Sequence, residues 1–193
     1  MSETNRPETV ARRKRLGIFE RFINGKGIDI GCGISPPYSY EESLTLIQPD
    51  AVAHDSHICD AHHMNVYQDE EFEYVYSSHV LEHLWDPVTA LKNWYRICKT
   101  GGYMVLTVPA KYRYEKKNNL PSKWNEDHKR FYTISLLASE IEQALEPNSY
   151  LIEHLQDCAD GFDWSIPPSQ HSSGEYQIEC VIKKISKPGW SLE

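Results

Sequence analysis

No run of about 18 apolar residues occurs anywhere in the 193-residue chain, which excludes a membrane-spanning helix. Residues 1 to 17 are polar and carry Arg12, Arg13, Lys14 and Arg15, so the apolar core of a secretory signal is missing too and a cytoplasmic location is expected. Paired cysteines are also lacking. Cys32, Cys59, Cys98, Cys158 and Cys180 are odd in number, scattered and without a CxxC pair, which speaks against a disulfide or zinc framework and for buried thiols in a reducing compartment. Positive charge is scarce, with 20 Lys and Arg against 28 Asp and Glu and a net charge of -8. Broad, sequence-independent nucleic-acid binding needs a positive face, so nucleic acid is not an expected partner, although a local basic patch stays open. Repeats and low-complexity segments are absent.

What is present fits one domain over 1–193: an opening helix at 7–24, one half of alternating strands and helices at 25–110, and a second half at 111–193. Pro7 to Ile23 reads as a single helix with Val10, Leu16, Phe19, Phe22 and Ile23 toward one face. Strands are expected at Gly27 to Gly31, at Ala51 to Asp55 and at Phe72 to Ser78. The clearest helix runs from Asp86 to Gly102, with Asp86 as N-cap, Pro87 at the first position and Gly101-Gly102 as the stop. Tyr103 to Val108 follows as an apolar strand. Thr133 or Ser135 then caps a helix through Leu137, Ile141 and Leu145, and strands near Tyr150 to Leu155 and Tyr176 to Ile182 close the chain. Alternating strands and helices predict a Rossmann-like, doubly wound, mostly parallel α/β sheet covered on both faces. The final hairpin-like pair adds an antiparallel edge strand at its C-terminal end.

In such sheets ligands bind beyond the carboxyl ends of the strands. There Gly31 and Gly33 let the backbone approach a ligand with no Cβ in the way, a weak signal that an ordinary turn also explains. Asp55 lies about 20 residues further on, where an acidic side chain accepts ribose hydroxyls. Asp60 and Ala61 offer a carboxylate and an amide to an adenine edge. The block from Phe72 to Pro87, with Ser77-Ser78-His79-Val80-Leu81-Glu82-His83 at its centre, runs on through Gly101-Gly102 to Val105-Leu106-Thr107-Val108-Pro109. Together with Asp29-Ile30-Gly31-Cys32-Gly33 it closely resembles the class I S-adenosylmethionine-dependent methyltransferases of the type 11 kind, over roughly residues 25 to 145. The resemblance implies that Asp29, Gly31, Cys32 and Gly33 hold the methionine moiety, Asp55 the ribose, Asp60 and Ala61 the adenine, and that Ser77 and Ser78 neighbour the sulfonium. Two departures stand out: Ile34-Ser35-Pro36-Pro37 replaces the third glycine of the usual loop, and only four residues separate Asp55 from Asp60. The sheet is therefore expected to lack one outer βα unit, which leaves the adenine contacts open.

An activated methyl donor needs little beyond an aligned acceptor, with a base if an alcohol attacks. His79 and His128 are the candidate bases, against the alternative of capping or surface histidines. His79, Glu82 and His83 share one face if a helix starts there. With His128 they form a candidate divalent-metal set suited to zinc or manganese. Methyltransferases of catechol-type quinone precursors and of small-RNA 3′ ends resemble the chain at this turn, but the Glu-His-Leu stretch also occurs in relatives without a known metal. His54, His57, His62 and His63 match no standard site.

Residues 111 to 130 hold Lys111, Arg113, Lys116, Lys117, Lys123, Lys129 and Arg130 against Glu115, Glu126 and Asp127. This excess is expected either to steer an anionic acceptor or to be a solvated loop. Tyr112, Tyr114, Trp124, Phe131 and Tyr132 offer flat surfaces to an acceptor, and the loop from Asp163 to Pro168 a second wall. The expected function is methyl transfer from S-adenosylmethionine to oxygen or nitrogen of a small anionic metabolite, such as a sugar, nucleotide-sugar or phosphorylated precursor. The alternatives are a metal-dependent RNA 3′-end 2′-O-methyltransferase and a non-catalytic cofactor-binding subunit.

Overall fold

The computed structural model describes residues 6–32 and 51–190. Six strands, β1 (Gly27–Ile30), β2 (Val52–His54), β3 (Phe72–Ser78), β4 (Cys98–Pro109), β5 (Tyr150–Cys158) and β6 (Gln177–Lys184), form one sheet in the order β2-β1-β3-β4-β6-β5. The pairs among β1, β2, β3 and β4 are parallel, whereas β6 runs antiparallel to both β4 and β5. The hairpin pair is thus present, with the last strand inserted between β4 and β5, so that β5 takes the sheet edge. At the other edge stands β2, and among the described residues no strand lies outside it, as the short Asp55-to-Asp60 interval requires.

Helices α3 (Pro87–Ile97) and α4 (Ile134–Ala144) cover one face. Asp86 caps α3 by accepting from the Thr89 amide at 3.0 Å, and Thr133 caps α4 by accepting from Leu136 at 3.2 Å. The α3 helix ends at Ile97 rather than at the glycines, because the chain turns directly into β4. Residues alternate across the strands. Val75, Met104, Leu106, Ile178, Cys180 and Ile182 meet Leu91, Trp94, Leu137 and Ile141, while Tyr74, Tyr76, Val105 and Val181 meet Ile18, Phe22 and Ile23 on the other side.

The opening helix is two helices, α1 (Pro7–Leu16) and α2 (Ile18–Phe22). Gly17 sits between them at φ 63°, a left-handed conformation that ends α1 and that glycine adopts at least cost. The face of α1 turned to the sheet is ionic: Thr9, Arg12 and Arg13 are fully buried while Val10 is exposed. Arg12 donates to Glu175 at 2.9 Å and to Glu179 at 2.6 Å, and Arg13 pairs with Glu179 and donates to the Tyr76 and Thr107 hydroxyls at 3.0 and 2.8 Å. The acidic partners come from 163 to 167 residues away, so no local period reveals them. All five cysteines are free thiols. Among the described residues no helix is long and apolar enough to cross a membrane.

Candidate functional site

A cleft of about 660 Å³ opens at the carboxyl ends of β1, β2 and β3. Gly31, Asp55, Asp60 and Ala61 line one side, and His79, His83 and Asp127 the other. Gly31 is at φ 78°, and a Cβ there would stand 2.2 Å from Val80 Cγ2, so the turn that ends β1 admits glycine only. Its amide donates to His54 O at 2.8 Å, fastening the turn to the end of β2. Asp29 and Ser77 are buried in their strands, and Cys32 and Ser78 are half-buried. Gly33 and the Ile34-to-Pro37 run lie outside the described residues. The Cys32 thiol is pushed up to about 11 by burial, with Asp29 and Asp55 adding to it, which favours its neutral form.

His62 holds the Asp60 carboxylate in place. Its amide and Nδ1 both lie on Asp60 Oδ1, at 2.8 and 2.6 Å, and its Nε2 accepts from the Asp86 amide at 3.3 Å. These bonds, the amide first, draw the Asp60 carboxyl below the ordinary carboxylate range. His54 Nδ1 is 3.1 Å from the Tyr67 hydroxyl, and burial lowers its pKa.

The other side is built on Glu82. It sits in a single 3-10 turn, Leu81–His83, and not on a helix face, since α3 begins only at Pro87 and His79 precedes the turn at φ 57°. Glu82 is wholly buried, and neither carboxylate oxygen finds a hydrogen-bond partner among the described residues. Imidazole nitrogens surround it: His79 Nδ1 at 3.3 Å, and His83 Nε2 and His128 Nε2 each at 4.0 Å from Oε1. Ligand atoms of Glu82, His83 and His128 lie within 4.8 Å of one another, and His79, the fourth residue of the expected metal set, does not belong to that group.

Each ring is held from behind. His83 Nδ1 is 3.1 Å from Asp127 Oδ2, and His128 Nδ1 is 2.6 Å from Glu115 Oε1, whose other oxygen accepts from Ser122 Oγ at 2.7 Å. Carboxylates only accept, so both rings carry a hydrogen on Nδ1 and turn Nε2 toward Glu82. Lys129, and after it His83, holds the Asp127 carboxyl below its ordinary range, which keeps it an acceptor. Glu115 escapes a sequence reading because it comes from the turn Lys111–Glu115. The acid adjoining His128 in the sequence, Asp127, serves His83 instead.

The acceptor-side expectations need correction. None of the seven basic residues at 111 to 130 lines the cleft. Lys116 lies on the Ile166 and Pro167 carbonyls, Lys117 on Pro121, and Lys123 on Pro168 and Ser169. Arg113 pairs with Asp157, and Arg130 with Glu140 and the Leu84 carbonyl. Lys116, Lys117 and Lys123 thus satisfy backbone oxygens, while Lys129 pairs with Asp127. Tyr114 and Tyr132 are core residues, Tyr132 donating to Glu140 at 2.7 Å, and Trp124 packs on His171. The loop from Asp163 to Pro168 is pinned by those lysines and forms no part of the cleft lining.

Residues 28–106 match the family model described as a methyltransferase domain, whereas none of the curated proteins matches. Among solved structures the chain is similar to a methyltransferase of uncertain assignment from Bacillus halodurans, with 16% identity, a TM-score of 0.55 and 88% of this chain and 93% of that one covered. It is similar also to an S-adenosylmethionine-dependent methyltransferase from Archaeoglobus fulgidus, with 17% identity, a TM-score of 0.53 and 90% and 92% covered. The cyclase SpnF shares the fold at 14% identity and a TM-score of 0.57, over 96% of this chain and 85% of that one. At these identities the likeness is one of fold.

Proposed function

We propose that the chain is a class I S-adenosylmethionine-dependent methyltransferase, as the match over residues 28–106 and the shared fold support, and that it transfers the methyl group to a hydroxyl oxygen of a small acceptor seated against Glu82, His83 and His128. The cofactor would lie along the Gly31–Asp55–Asp60 side of the cleft. There the Gly31 turn lets its methionine end approach the backbone, Asp55 accepts the ribose hydroxyls, and Asp60, oriented by His62, faces the adenine amine. Asp29, Cys32 and Gly33 belong to the methionine end of this reading, and Ser77 and Ser78 to the sulfonium end. The sulfonium supplies an activated methyl group, so the protein's share is alignment and acceptance of the acceptor's proton.

The observation that carries the acceptor reading is the buried Glu82 carboxylate, which has no hydrogen-bond partner among the described residues and is faced by the Nε2 atoms of His83 and His128. A bare buried carboxylate is costly, and one carboxylate with imidazoles braced from behind is a donor set that fits a borderline divalent metal such as zinc or manganese. Glu82, His83 and His128 would hold it, and when bound it would lower the pKa of an acceptor hydroxyl. A hydroxyl needs that help, whereas a neutral amine does not. With Lys116, Lys117 and Lys123 tied to carbonyls, Lys129 paired with Asp127, and Asp55, Asp60 and Asp127 rimming the cleft, the charge pattern supports an acceptor without a strong negative charge over a phosphorylated one or an RNA end.

The test is metal-stripped protein. Chelation should abolish turnover of hydroxyl acceptors, and manganese or zinc should restore it. His83→Ala should lose metal and turnover yet bind S-adenosylhomocysteine like the parent. Full activity in protein that elemental analysis shows to be metal-free would instead assign proton removal to the His83–Asp127 and His128–Glu115 pairs acting alone.

A further inference from the structure

On the cofactor side of the cleft, the turn from Asp60 to Met64 is held by one helix. Three neighbouring side chains of α3 take its carbonyls: Trp94 Nε1 donates to Ala61 O at 2.8 Å, Asn93 Nδ2 to His62 O at 2.8 Å, and Arg96 Nη2 to Met64 O at 3.0 Å. The Asp60 carbonyl accepts from the His63 and Met64 amides at 3.0 and 3.1 Å. In a planar trans peptide the N–H points opposite to the C=O, so the Ala61 amide is directed out of the turn. It has no partner among the described residues, and Ala61 lines the cleft. The Asp60 carboxylate is fixed as closely. His62 offers its amide and its Nδ1 to Oδ1, at 2.8 and 2.6 Å, which leaves Oδ2 without a partner among the described residues. The ring admits one tautomer. The Asp86 backbone amide, 3.3 Å from Nε2, can only donate, and the Asp60 carboxylate can only accept, so Nε2 is the acceptor and Nδ1 carries the hydrogen.

The turn thus offers an acceptor, Asp60 Oδ2, beside a donor, the Ala61 amide. That order matches a purine with an amine at C6 and a bare N1, and it opposes a 6-oxo purine, whose oxygen and N1–H would meet like groups. We propose that His62 is a specificity-determining positioning residue: by holding Asp60 Oδ1 it keeps Oδ2 on the purine edge, so that the site selects an adenosyl over an inosyl cofactor. His62 acts through Asp60, and the Asp86 cap of α3 acts through His62. The proposal rests on the reading of Asp60 and Ala61 as the adenine partners.

Calorimetry of the full chain with S-adenosylhomocysteine and S-inosylhomocysteine tests it. The parent protein should favour the adenosyl ligand by about tenfold or more. His62→Phe, which keeps a ring but no hydrogen-bonding nitrogen, should bind the adenosyl ligand about tenfold more weakly and the inosyl ligand as the parent does. His62→Asn, whose amide nitrogen can take the place of Nδ1, should keep adenosyl binding within about threefold of the parent. A merely structural loss would weaken both ligands alike. Equal losses for the two ligands, or an unchanged ratio in folded His62→Phe, therefore overturn the proposal. Asp60→Asn separates it from the reading beneath it. If the ratio collapses in Asp60→Asn but not in His62→Phe, Asp60 remains the adenine partner and the role of His62 is overturned. An unchanged ratio in Asp60→Asn, or no preference in the parent protein, overturns the adenine reading itself.

Discussion

Replacing Glu179 by glutamine tests the account of α1 most directly. Glu179 is fully buried in β6 and takes charge-assisted hydrogen bonds from both Arg12 and Arg13. Burial alone would raise its pKa, but the two guanidiniums, Arg13 foremost, hold it down at about 2 against an ordinary 4.5. At about 1.36 kcal/mol per pKa unit, that difference is roughly 3 kcal/mol of stability. Because the folded-state value is the depressed one, this stability is complete above about pH 5 and is lost as the pH falls toward 2. Glu179→Gln removes the charge at every pH. It leaves Arg13 with a neutral amide and the Tyr76 and Thr107 hydroxyls in place of a carboxylate, and Arg12 with Glu175 as its one charged partner among the described residues. Breaking a buried pair from one side costs about 3 to 5 kcal/mol, a large share of the roughly 5 to 15 kcal/mol that holds a domain folded. Urea unfolding followed by circular dichroism should therefore show a lower midpoint at pH 7 and a flatter acid dependence than the parent. Adding Arg13→Met should recover part of the loss, since it removes the stranded charge. A Glu179→Gln variant within about 1 kcal/mol of the parent at pH 7, with the acid slope intact, would refute the view that ion pairs seat α1.

Asp55→Ala should weaken S-adenosylhomocysteine binding by about 1.5 to 3 kcal/mol, the usual cost of losing a charged hydrogen-bond acceptor. Calorimetry measures this, and a concentration-dependent rise in Tm of the parent protein checks the binding itself. Lys116→Gln with Lys123→Gln should lower Tm by releasing the carbonyls of residues 166–169, and should leave KM for the acceptor unchanged. A raised KM would return those lysines to substrate binding.

The sequence by itself determined the elements whose signals are local. A strand ending at Gly31, the capped start of α3 at Asp86-Pro87, and the acid at Asp55 each depend on neighbours a few residues away, and each stands where the sequence reading put it. That no strand among the described residues lies outside β2 was legible for a similar reason, because the four residues between Asp55 and Asp60 cannot hold a helix and a strand. What only the tertiary structure decided involves partners distant in the chain. Arg12 and Arg13 stand in the sequence only as part of a polar, basic stretch, and the structure brings Glu175 and Glu179 beneath them. The basic residues from 111 to 130 read either as a steering surface or as a solvated loop until the carbonyls of a later loop take the amines of Lys116 and Lys123. At the site, Glu82 and His83 are adjacent in sequence, but the direction of each imidazole is set by Asp127, Glu115 and Gln177, 44, 13 and 98 residues away from the rings they hold. A ring's tautomer depends on what stands behind it, and that is supplied by the packing of β6 and the lobe after β4, which local periodicity in the chain does not encode.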